Sequence, residues 1–112
     1  MNMRTAFIML CLLIFTACSQ NDSLLFLMET SFTEQFSKAC SKNNKCIHAV
    51  ESHMNKCFNK DIAMTTIKAK STSKKQFNTQ HILSIQKCLS SKSGTNYWKA
   101  LDMPQYILSQ VK

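Results

Sequence analysis

Cys46, His48, His53 and Cys57 form the densest run of metal-ligating and nucleophilic side chains in the 112-residue chain. Zinc sites gather such residues as close pairs on one face, in patterns such as C-x2-C or H-x3-H. On a helix, His48 would lie about 200° around from Cys46, at roughly 100° per residue. The run His48-Ala49-Val50-Glu51-Ser52-His53 matches neither H-E-x-x-H nor H-x-x-E-H. Surface histidines are therefore the expectation, with no metal site. A cysteine nucleophile needs a free thiol of low pKa, and pairing of the cysteines would leave none. Ser71-Thr72-Ser73-Lys74 and Ser84-Ile85-Gln86-Lys87 both match S-x-x-K, but the companion S-D-N and K-T-G motifs are missing from the sequence. Glu29 and Glu34 fall off a shared helical face, and one glycine, Gly94, cannot build a phosphate-cradling loop. No catalytic residue and no cofactor are expected.

The compartment follows from the beginning of the sequence. Met1-Asn2-Met3-Arg4 is a short positive start, and Thr5 to Ala17 then runs without a charge. Thirteen such residues are too few for a membrane-spanning helix, which needs about 20. They fit the apolar region of a secretory signal, and the polar Ser19-Gln20-Asn21-Asp22 follows at once. Phe15-Thr16-Ala17-Cys18 resembles the lipobox of bacterial lipoprotein precursors, with Phe15 standing where the family usually has leucine. The resemblance covers these four residues alone. It implies cleavage before Cys18 and thioether attachment of a lipid there, with acyl chains such as palmitate holding the protein to a membrane. The alternative is ordinary cleavage at the small-x-small pattern Ala17-Cys18-Ser19, which would release a secreted protein. The expected organisation is a signal peptide over 1–17, a lipidated N-terminus and short tether over 18–22, and a single helical domain over 23–112.

An exported chain gives its cysteines a different meaning. Of six, Cys11 leaves with the signal and Cys18 is the lipidation residue. Cys40, Cys46, Cys57 and Cys88 remain, an even number suited to two disulfides in an oxidising compartment. Loss of residues 1–17 also removes the only arginine, Arg4, from a chain with fourteen cationic residues, six acidic residues and a net charge of +8, leaving thirteen lysines and +7. Arginine is the preferred bidentate reader of phosphate and guanine edges. A lysine-only surface suits anionic membranes, acidic proteins or solubility. Nucleic acid is therefore not an expected partner, being disfavoured by compartment and by composition.

The elements that hold these residues are expected to be helical. One glycine and one proline, Pro104, punctuate the sequence, whereas a β-rich domain would need many turn residues. Leu25, Met28, Phe32, Phe36 and Ala39 follow the three-and-four spacing of one helical face, with Ser23 as the N-cap. Lys42 to Lys45 reads as a turn. A second helix runs to about Lys60 with Cys46, Val50, Met54, Cys57 and Phe58 inward, and could continue through Ile62, Met64 and Ile67. Lys68 to Asn78 is the most polar stretch and reads as an exposed loop. A third helix from Asn78 or Thr79 to about Ser90 presents Ile82, Ile85, Cys88 and Leu89. Ser91 to Asn96 is a turn, and Pro104 stands near the start of a final helix through Val111. The fold class is all-α, a small disulfide-stapled bundle of three to four short helices.

Helix geometry restricts the disulfides. Cys46 and Cys57 would be ~16 Å apart along a continuous helix, beyond the ~7 Å limit for Cα atoms of a disulfide. Excluding that pair also excludes 40–88. Of the two remaining connectivities, 40–46 with 57–88 is preferred over 40–57 with 46–88, because a hairpin at Asn43-Asn44 sets Cys40 beside Cys46. The expected interaction surface comprises Tyr97, Trp98 and Tyr106 with Lys68, Lys70, Lys74 and Lys75, although filling the core is the favoured role for Trp98. Small exported helical proteins without catalytic motifs often act as inhibitors, immunity proteins or accessory subunits, an analogy of class only. The expected function is a non-enzymatic envelope lipoprotein that faces the periplasm and binds another envelope or periplasmic protein. The alternative is a cationic protein that contacts acidic lipids.

Overall fold

The computed structural model describes residues 22–110, so the signal segment 1–17, Cys11 and Cys18 lie outside the described residues. The described residues form five helices: α1 over 22–39, α2 Asn44–Cys57, α3 Lys60–Lys68, α4 Ser71–Ser93 and α5 Met103–Ser109. No strand occurs among them. The long α4 is the centre of the bundle and packs against α2, α3 and α5, while α1 joins the core through Phe32 and Phe36.

The inward stripe of α1 is the expected one, with Phe36 fully buried and Leu25, Met28 and Ala39 packed at its margin. Asp22 is already helical. Asp22, expected in the tether, is thus part of α1, and Ser23 stands inside the helix instead of capping it. Ser41 takes a left-handed conformation (φ 57°) that ends the helix. Asn43 then caps α2, its side-chain oxygen accepting from the N–H of Cys46 at 3.1 Å. The Cys40–Cys46 disulfide closes this corner.

α2 does not continue into the next segment. Phe58 and Asn59 are extended, and the Asn59 side chain accepts from the N–H of Ile62, so Asn59 starts α3 as an N-cap. The extended backbone turns the Phe58 ring into the core against Phe32 and His81. Thr65 and Thr66 lie within α3, their hydroxyls donating to the carbonyls of Asp61 and Ile62 one turn back.

The expected loop over Lys68–Asn78 is the main correction. Only Ala69 and Lys70 are non-helical there, and α4 begins at Ser71. Lys and Gln are good helix formers, and adding turns to an existing helix is far easier than starting one. The buried stripe His81, Ile82, Ile85 and Leu89 anchors α4, and the polar first turns grow from it. Gly94, with φ 79°, ends the helix as its left-handed cap. The Cys57–Cys88 disulfide ties the end of α2 to α4 across α3. Asp102 caps α5 by accepting from the N–H of Gln105. That short helix contributes Met103 and Ile107 to the core.

A candidate interaction surface

The reactive side chains singled out by type are scattered. Both sulfurs of Cys46 and Cys57 are committed to disulfides with Cys40 and Cys88. His48 is exposed, its Nε2 lying 3.2 Å from the hydroxyl oxygen of Ser52. His53 is half-buried one turn further along α2. Among the described residues, no three His, Cys, Asp or Glu side chains cluster closely enough to hold a metal ion. Ser71, Lys74, Ser84 and Lys87 are all exposed on α4, so neither S-x-x-K pair is set in an enclosed site.

Of the aromatic surface set, Trp98 belongs elsewhere. It is fully buried, and its indole N–H donates to the carbonyl of Phe36 at 3.2 Å. Its ring meets that of Phe36 edge-on at 5.3 Å. Burial is possible because the polar tip finds a partner at the end of α1. The Oδ1 atom of Asn96 holds the approach to Trp98, accepting from its backbone N–H and from the Gln86 side chain. Trp98 is therefore a core residue that fastens the C-terminal segment to α1. Tyr97 is half-buried with its ring 5.9 Å from that of Trp98, and Tyr106 is half-buried against the core.

Two open grooves flank α4. The first, between α2 and the C-terminal end of α4, is lined by Lys45, His48, His53, Lys92 and Tyr97. The second, of about 940 Å³, runs between α4 and α5. Leu83, Pro104 and Leu108 form its apolar part, and Lys75, Asn78, Gln105 and Asp102 its polar part. Leu83 is 51% exposed there. Lys68, Lys70, Lys74 and Lys75 are all exposed, and they sit where α3 ends and α4 begins. Thus the lysine cluster occupies a helical corner, with Lys75 on the rim of the larger groove and Tyr97 on the smaller one.

His81 carries the most perturbed chemistry and was not singled out by the sequence. It is fully buried on α4. Its Nε2 accepts from the backbone N–H of Asn59 at 3.0 Å, which places the ring proton on Nδ1, an atom with no partner among the described residues. Phe32 stands edge-on to the imidazole at 5.3 Å and Phe58 lies tilted over it at 5.0 Å. Desolvation in this apolar setting lowers its pKa from 6.5 to about 4. The sequence signal was available: residue 81 falls on the stripe shared by Ile85 and Leu89.

The chain matches no protein-family model, no characterised protein and no solved structure.

Proposed function

We propose that this chain is a small, non-enzymatic envelope lipoprotein, exported by residues 1–17, anchored through Cys18 and engaged in binding another protein of the envelope. Two disulfides support export, because such bonds persist outside the reducing cytoplasm. The observation that carries the binding role is the α4–α5 groove. A half-exposed leucine beside a border that carries Lys75 and Asp102 has the anatomy of an interface, with an apolar centre and a polar edge. The four lysines at the α3–α4 corner favour a partner whose docking surface is acidic. Blocking an envelope enzyme or serving as an accessory subunit would both use such a face.

The test is crosslinking and capture from the native envelope with the tagged mature protein. Leu83→Glu and the Lys74→Glu/Lys75→Glu pair should each lose the captured partner while leaving the melting temperature unchanged. A partner retained by Leu83→Glu would refute the groove as the interface. Capture of no protein, with salt-sensitive binding to anionic vesicles that Lys74→Glu/Lys75→Glu abolishes, would replace this reading with the lipid-contacting one.

A further inference from the structure

The run Leu24-Leu25-Phe26-Leu27-Met28 is apolar on every side of α1, yet the bundle covers only part of it. Leu25 and Met28 turn inward. Leu24, Phe26 and Leu27 are 41%, 66% and 61% exposed. Leu24 and Leu27 are neighbours three residues apart on one face, and Phe26 flanks them one step around the helix. A helix that is apolar all round is ordinarily buried, so these three side chains need a cover that α2–α5 do not supply.

The chain itself limits what that cover can be. With cleavage before Cys18, only Cys18-Ser19-Gln20-Asn21 precedes the described part of α1. Four mostly polar residues are too few to fold back over three large side chains. Their length also ties the face to the anchor. At about 3.5 Å per residue, Asp22 lies no more than ~14 Å from Cys18, and Leu24 only ~3 Å further along the helix. The polar layer on each side of a bilayer is itself about 5–8 Å thick. We infer that the first two turns of α1 rest on the bilayer, with Leu24, Phe26 and Leu27 seated at the boundary between headgroups and acyl chains. The inference rests on the lipoprotein reading. The nearby charges are mixed, Asp22 and Glu29 with Lys60 around Phe26, so the contact is apolar and should not depend on anionic lipid.

The experiment uses the full mature protein carrying Phe26→Trp, bound to phosphatidylcholine vesicles with or without bromine on the acyl chains. The native Trp98 is buried in the core and gives a constant background. Leu83→Trp, on α4, is the reference position. The expected result is blue-shifted, bromine-quenched emission from the Phe26→Trp protein and none from Leu83→Trp, unchanged when phosphatidylglycerol is added. Quenching at neither position, or equally at both, would overturn the inference. Intact mass decides the anchor separately. A mature chain without lipid defeats the lipoprotein reading, while quenching of that same chain at position 26 would still support contact by this face.

Discussion

Acidification acts on this bundle through His81. In the unfolded chain the imidazole takes its proton at the ordinary pKa of 6.5, whereas in the fold it resists protonation until about pH 4. Between those values the unfolded state binds more protons, so stability falls as pH falls. The loss is negligible above pH 7.5, reaches about 2 kcal/mol at pH 5 and levels off at ~3 kcal/mol below pH 4. The geometry explains why the proton is refused. A proton on Nε2 would face the Asn59 N–H that this nitrogen now accepts, and Phe32 and Phe58 offer nothing to solvate the charge. Breaking that bond would release the backbone where α3 begins. The assay is urea unfolding followed by far-ultraviolet circular dichroism from pH 8 to pH 4, comparing the native protein with His81→Gln. Glutamine keeps an acceptor at the right reach but does not titrate. It should cost about 1–2 kcal/mol at pH 7.5 through lost ring packing, and its stability should then fall with acid by about 2 kcal/mol less at pH 5. Parallel pH curves for the two proteins would refute the assignment of the acid sensitivity to His81.

The two disulfides should differ in weight. Loop-closure entropy assigns about 3.7 kcal/mol to Cys57–Cys88, which spans 31 residues, and about 2.2 kcal/mol to Cys40–Cys46, which spans 6. Equilibrium unfolding of the Cys57→Ser/Cys88→Ser and Cys40→Ser/Cys46→Ser pairs should preserve that order, and the reverse order would contradict it. Trp98→Phe deletes the bond to the Phe36 carbonyl and leaves a void in the core, a loss of about 2–3 kcal/mol in the same measurement. A loss under 1 kcal/mol would show that Trp98 does not fasten the C-terminal segment.

What could be read from the sequence depended on whether the controlling contact was local. The α1 stripe was legible because its five inward residues repeat on one face. The disulfide pairing was legible because Cys46 and Cys57 lie three turns apart on one helix, and α2 does run unbroken between them. The Lys68–Asn78 loop was misread because polarity marks solvent exposure and does not separate a loop from a solvated helix. No glycine or proline interrupts that stretch. The end of α2 falls at Cys57, three residues before the expected Lys60, and was not legible because Asn59 reads equally as a helix interior and as the cap of a new one. Its capping role emerges only with Phe58 turned into the core. His81 stood on a recognisable stripe, but its low pKa comes from burial against Phe32 and Phe58, 49 and 23 residues earlier in the chain. Trp98 likewise depends on a carbonyl 62 residues away.

Export, anchoring and disulfide stapling are joined in one quantity, the intact mass of the protein extracted from its native membrane without reductant. The expected mass is that of a chain that begins at Cys18, carries diacylglycerol and an amide-linked acyl chain, and is four hydrogens lighter than its reduced form because both disulfides are closed. A chain that retains residues 1–17, or one with Cys40, Cys46, Cys57 and Cys88 as free thiols, would contradict it.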